Sequence, residues 1–391
     1  MGMGPFRLTC VWIVVLLAAV TLIVSVSHGP AWILNVKLGS RVVNDLYEHS
    51  SNKTHVRDIP QVFSNETYSR PCQGSPTSSK NISYFFRVDQ SGGGDFVTVQ
   101  AAVDAVPENS EQRTIIQIRA GIYEEKVLIP SNKPHITMQG AGMNATIITG
   151  NDTAARSGTE GSATVAIYAD HFTAVDMGFK NIAPMPEPGE LGKQAVALVI
   201  CGDKAAFYDC GFYGAQDTLF DYAGRHYFKN CFIEGSIDFI FGDGRSLYEG
   251  CEIHVIAETT GSITAQARSR PEDHSGFVFM DCTIMGHGLV WLGRAWGSSS
   301  RVVFVRTFMD DIIIPAGWTD FGDSTVHNTS FYAQYKCSGP GAEAAVRVPW
   351  SYELNDDDVQ QFLNMDFIDG GSWIHSTRRL IDKPEKIPGR A

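Results

Sequence analysis

Beyond about residue 81 the chain is a succession of short apolar runs separated by Gly, Asp, Asn and charged residues. Residues 114–118, 145–149, 196–200 and 302–305 are the clearest of these, rich in Val, Ile and Thr, and they predict β-strands. One segment has a different period. Val99, Ala102, Val103 and Val106 fall at helical spacing and Pro107 follows, so one short helix is expected there. A motif also recurs: Phe207-Tyr-Asp-Cys-Gly-Phe, Tyr227-Phe-Lys-Asn-Cys-Phe, Leu247-Tyr-Glu-Gly-Cys-Glu and Phe279-Met-Asp-Cys-Thr-Ile. Its cysteines, Cys210, Cys231, Cys251 and Cys282, are 21, 20 and 31 residues apart. Short strands repeating at that length, with no helical partner, predict a β-solenoid in which each coil hydrogen-bonds to the next. The long third interval predicts an extended loop. A β-sandwich is the competing architecture, but it gives no reason for near-constant spacing.

Composition agrees with a fold of strands and turns: 38 glycines, 22 phenylalanines and 13 tyrosines in 391 residues. A formal net charge of -12 argues against nucleic acid as a partner. At the N-terminus Arg7 precedes an apolar run from Val11 to Val26, and Ser25 and Ser27 make a small-x-small cleavage pattern. Residues 1–27 are therefore read as a signal peptide or a signal anchor, 28–80 as a polar linker, and 81–391 as the β-helix catalytic domain. Cleavage gives a secreted protein and retention a membrane-anchored one. Six Asn-x-Ser/Thr sequons, at Asn52, Asn65, Asn81, Asn144, Asn151 and Asn328, suit export.

Eight cysteines in an exported chain would ordinarily suggest disulfides. Equivalent positions on successive coils, however, would stack Cys210, Cys231, Cys251 and Cys282 inside the core as small apolar residues, and several of them are expected reduced and buried. No Cys-x-x-Cys or His-x-x-x-His spacing suggests zinc, and neither a metal nor a cofactor is expected.

The repeat carries two acidic motifs, Gly214-Ala-Gln-Asp-Thr-Leu-Phe220 and Ser236-Ile-Asp-Phe-Ile-Phe-Gly242. Asp217 follows Cys210 by seven residues and Asp238 follows Cys231 by seven. If the cysteines mark equivalent positions, the aspartates lie one coil apart, about 4.8 Å between backbones. Two carboxyls that close cannot ionise independently, and such a pair supplies an acid and a base together. The plainer reading, that each Asp serves a turn, stays open at this point.

The chain resembles the pectin methylesterase family over roughly residues 84 to 375. Five segments carry the resemblance in order: Gly121-Ile-Tyr-Glu-Glu125, Gln194-Ala-Val-Ala-Leu198, Gly214-Ala-Gln-Asp-Thr-Leu219, Asp238-Phe-Ile-Phe-Gly242 and Leu292-Gly-Arg-Ala-Trp296. It implies an all-β, single-stranded right-handed parallel β-helix with a short N-terminal capping helix. It also implies an aspartyl esterase that removes methyl groups from polygalacturonate. By resemblance Asp238 is the nucleophile, Asp217 the general acid and then base, and Arg294 the residue holding the nucleophile. Gln216 and Gln194 are the implied oxyanion donors. Gln194, Arg294, Trp296, Phe239 and Thr164 are the implied substrate-binding set. Core packing is the competing reading for Phe239, and sheet-edge capping for Gln194. Ala215, Ala267 and Ala295 depart from the family pattern, which favours an aromatic, a glycine and a proline there. The expected partners are methyl-esterified pectin and a proteinaceous pectinesterase inhibitor, and the expected state is a monomer. Only about fifty polar residues precede the β-helix, so the resemblance is to the short form without an inhibitor-like pro-region. A pectin lyase or glycosidase, and a catalytically silent wall-binding protein, are the rival readings. A lyase would want calcium-binding acids and a basic residue, and a glycosidase carboxylates set across the bond.

Overall fold

The computed structural model describes residues 82–374. The expected signal segment 1–27, the linker 28–80 and the sequons at Asn52, Asn65 and Asn81 lie outside the described residues. Asn144, Asn151 and Asn328 lie within them and are exposed.

Strand pairing between coils is parallel throughout, and each strand's partners belong to the coils before and after it. One coil shows the plan. Arg225–Lys229 runs along the first face, the chain turns at Asn230, Phe232–Gly235 runs along the second, and Ile237–Gly242 along the third. Arg245–Glu249 then begins the next coil on the first face. The first faces form an eleven-stranded sheet from Ile82–Val88 to Tyr352–Glu353. The other two faces join into one fourteen-stranded set, because Glu252–Gln266 and Thr283–Ala295 bend across both. This is the expected parallel β-helix, mostly β with few helices.

The recurring motif is the corner between the first two faces. Asp209, Asn230, Gly250 and Asp281 adopt left-handed backbone with φ of 52°, 52°, 64° and 54°, and each precedes a repeat cysteine. Gly, Asn and Asp are the residues that tolerate this conformation, so the corner is written in the sequence. The four thiols that follow are free and buried, as expected. Each later one donates to a carbonyl of the preceding coil: Cys231 to Phe207 O at 3.6 Å, Cys251 to Phe228 O at 3.5 Å and Cys282 to Tyr248 O at 3.4 Å. Thr307 and Cys337 continue the column onto Phe279 O and Phe304 O. Beside it Phe207, Phe228, Tyr248, Phe279 and Phe304 pair in register and stack with centroids 4.9, 4.5, 4.6 and 4.8 Å apart.

The expected helix is Val99–Asp104, which lays Val99, Ala102 and Val103 on the core of the first coils. The Glu125 carboxylate accepts from its first two backbone N–H groups, of Val99 at 2.9 Å and Gln100 at 3.0 Å. The third cysteine interval departs from expectation. Part of its extra length extends the strand Glu252–Gln266, and only 267–275 is a loop. A C-terminal run of 3-10 turns was not foreseen either. Phe362, Phe367, Ile368 and Trp373 pack with Leu247, Val278 and Val303 of the first sheet. Asp369 accepts from both Arg225 and Arg245 at 3.1 Å.

Candidate active site

Gln216 bridges Ile237, the Asp217 N–H donates to Ile237 O at 3.0 Å, and Leu219 pairs with Ile240. Asp217 and Asp238 are therefore equivalent residues on adjacent coils. Both adopt left-handed backbone, with φ of 61° and 49°. Toward the following strand, Ile237 pairs with Ser262 and Ile240 with Thr264, leaving Asp238 and Phe239 opposite Ile263 alone. This is a β-bulge, a device that re-aims a side chain out of strict alternation.

Arg294 comes from Thr283–Ala295 and reaches back to Asp238. Its Nε lies 2.9 and 2.8 Å from the two carboxylate oxygens and a terminal nitrogen 2.7 Å from Oδ2. The guanidinium carbon sits 5.4 Å from the Trp296 ring centre and 4.7 Å from that of Phe321, so the arginine is fixed by rings as well as by charge. The Asp238 side chain is 4% exposed and that of Arg294 15%. Asp217 is buried with no ion pair among the described residues. Burial first, and then the neighbouring Asp238 carboxylate, push its carboxyl well above the usual range, while Arg294 pulls weakly the other way. One carboxylate is thus held by a cation and the other is driven toward its neutral form. A carboxylate and a protonated carboxyl side by side can supply an anion and a proton to one reaction.

Gln216 and Gln194 flank the pair. The Ala195 N–H donates to Gln216 O at 3.0 Å, which sets Gln194 one coil before Gln216. Both side chains are buried, and Gln216 Oε1 has no partner among the described residues. Among the described residues no cluster of three or more His, Cys, Asp or Glu is placed to hold a metal ion.

The sequence model of the family described as Pectinesterase matches residues 86–371. The chain belongs to the pectinesterase family. It is 49% identical over 308 residues to the Arabidopsis thaliana protein named "Probable pectinesterase 8", covering 76% of this chain and 78% of that one. Pectinesterase QRT1 of the same plant is 44% identical over 306 residues, covering 76% and 80%. Among solved structures, pectin methylesterase from carrot superposes with a TM-score of 0.71 at 34% identity, covering 78% of this chain and 98% of that chain.

Within this pectinesterase the expected site residues do not all meet. Asp217, Asp238, Arg294 and Trp296 come together, and Gln216 and Gln194 are placed beside them by their backbone positions. Phe239 does not join them. It is fully buried in the main core, because the bulge turns it inward beside Ile240, so it offers no ring to a sugar. Thr164 is also buried, 2% exposed, and its hydroxyl donates to Lys180 O at 3.0 Å, so it does not join the aspartate pair. The aromatic neighbours of the site are Phe241, Phe220 and Phe321. Phe241 stacks on Trp296 at 5.7 Å and on Phe220 at 4.2 Å, and Phe321 covers Arg294. Simple alternation from Leu219, a core residue, would have found Phe220 facing outward.

Proposed function

We propose that this pectinesterase, a carboxylic ester hydrolase, removes methyl groups from pectin through Asp238 as nucleophile and Asp217 as acid and base. Asp238 attacks the methyl-ester carbonyl of a galacturonate, forming a carboxylic anhydride through a tetrahedral oxyanion. Collapse of that intermediate breaks the bond to the methoxy oxygen, which takes the Asp217 proton and leaves as methanol. Asp217, now a carboxylate, deprotonates a water that attacks the anhydride, releasing the free galacturonate and restoring Asp238. The Gln194 and Gln216 amides would donate to the oxyanion, a contribution of about 3 kcal/mol for a single donor. The forked contact between Arg294 and Asp238, beside a carboxyl that has no such partner, carries the reading.

The test is methanol release from highly methylated pectin. The unsubstituted protein should release methanol, and Asp238→Ala should lower the rate roughly 10,000-fold or more. Uronides bearing a new 4,5 double bond would instead indicate a lyase. Pectin binding without methanol from either protein would indicate a silent wall protein. Export to the cell wall, glycan at the exposed sequons and a proteinaceous inhibitor as partner belong to the same reading; N-terminal sequencing of the protein recovered from walls tests the first.

A further inference from the structure

The second face carries a row of half-buried rings that the ester chemistry does not use. Tyr213, at the end of Gly211–Tyr213, lies 5.5 Å from Phe232 of the next coil, and Phe232 lies 5.3 Å from His254 of the coil after that. Tyr213 does not stand upright on its strand. A Cβ on Gly211 would collide with its hydroxyl and ring, and one on Gly178, paired with Gly211 a coil earlier, would lie 3.3 Å from the ring. Two residues without side chains are thus the floor on which the ring lies. Its hydroxyl reaches the turn before Thr146–Gly150, where it donates to Asn144 Oδ1 at 2.7 Å.

Asn144 is exposed and opens the sequon Asn144-Ala145-Thr146. Among the described residues it is the one sequon asparagine whose side-chain oxygen accepts from an aromatic hydroxyl. Attachment of a sugar uses Nδ2 and leaves Oδ1 free to keep that bond. The substituted amide is planar and trans, which puts the first carbon of the sugar on the Oδ1 side, the side of Tyr213. An N-acetylglucosamine is uncharged, with apolar ring hydrogens that suit an aromatic face and hydroxyls that suit a polar rim. Glu234 pairs with both Tyr213 and His254, and Glu252 lies 3.3 Å from His254, so acceptors border the row. The same acids disfavour an anionic uronate there.

We propose that the rings of Tyr213 and Phe232 are the docking site of the chain's own N-linked glycan at Asn144, which lies along the second face and ties the coils of these residues together. The proposal rests on the reading of this chain as an exported glycoprotein. It is tested on the full chain secreted from plant cells. Mass spectrometry of its glycopeptides should find Asn144 occupied. Peptide N-glycosidase acting on the native protein should free this glycan roughly fivefold or more slowly than from Tyr213→Ala. Release at any other occupied sequon should be the same in both. Phe232→Ala keeps the bond from Tyr213 to Asn144 and should also speed release, so the test does not hang on the folding of one variant. Ring currents should shift the protons of the first sugar upfield in the unsubstituted protein and less in either variant. An occupied Asn144 whose release rate and sugar shifts are alike in all three proteins overturns the docking alone. A secreted protein with Asn144 unoccupied overturns the glycan reading at that site and this proposal with it.

Discussion

Burial and the neighbouring Asp238 push the Asp217 carboxyl toward its neutral form, and that has consequences for stability as well as rate. Because its folded carboxyl binds a proton more tightly than the unfolded one, the folded state loses stability as pH rises from the ordinary carboxyl range through the raised value. Asp217→Asn has no proton to lose. Its melting temperature should match that of the unsubstituted protein in acid and exceed it increasingly toward neutral pH; thermal unfolding across that window checks this. On the proposed mechanism turnover should fall roughly 1,000-fold or more in the same variant, since the proposed proton donor is gone while the shape is kept. In the unsubstituted protein, the rate should decline as pH climbs through the raised value, because the acid must hold its proton. Arg294→Lys keeps a positive charge but neither the fork nor the flat face between Trp296 and Phe321. A fall of about tenfold or more in kcat is expected, with KM less affected. Both aspartates were legible from their equal offsets to Cys210 and Cys231. Their left-handed backbone was not, since Asp signals a turn in many settings and nothing in the string marks a strained one.

At the scale of the strands, the aromatic column inside the first sheet is a repeated packing unit rather than a set of independent contacts. Phe228 lies between Phe207 and Tyr248 with both rings nearly parallel to its own. Phe228→Ala should therefore destabilise by about 3–5 kcal/mol, whereas Phe308→Ala, at a 40% exposed position, should change stability by about 0.5 kcal/mol or less. Denaturant midpoints of the two variants make the comparison. The strands themselves were readable because β-branched runs and Gly, Asn or Asp corners recur at nearly constant spacing. The assignment of Phe239 to a sugar failed for a local reason. That expectation comes from the resemblance, with core packing as its rival, and the bulge at Asp238 decides for the core by sending Phe239 and Ile240 inward together and Phe241 outward. The 3-10 turns between 360 and 372 were hidden for a different reason: they are too short to show a period.

Over the whole molecule the solenoid was readable and its closure was not. The Cys repeat predicted stacking, but the C-terminal cover depends on Arg225 and Arg245 meeting Asp369 more than a hundred residues later. With a net charge of -12, and with Lys126, Arg156 and Arg294 each paired with an aspartate, retention on isolated cell walls should be weak and little altered by salt. Elution of wall-bound protein along a salt gradient checks this. Thiol titration in denaturant without reductant should find at least the four repeat cysteines reactive, and fewer than two would contradict the stacked column.

That column also governs how the protein dies. While the coils are closed the four sulfurs are buried away from oxidants, and Cys231, Cys251 and Cys282 are each committed to a carbonyl of the coil before. Once heat opens the stack in an oxidising medium, these thiols become free to join one another in pairings that no refolded coil can accommodate. Inactivation there should be a one-way event, with the working life of the molecule set by how fast it opens rather than by the balance between its folded and unfolded states.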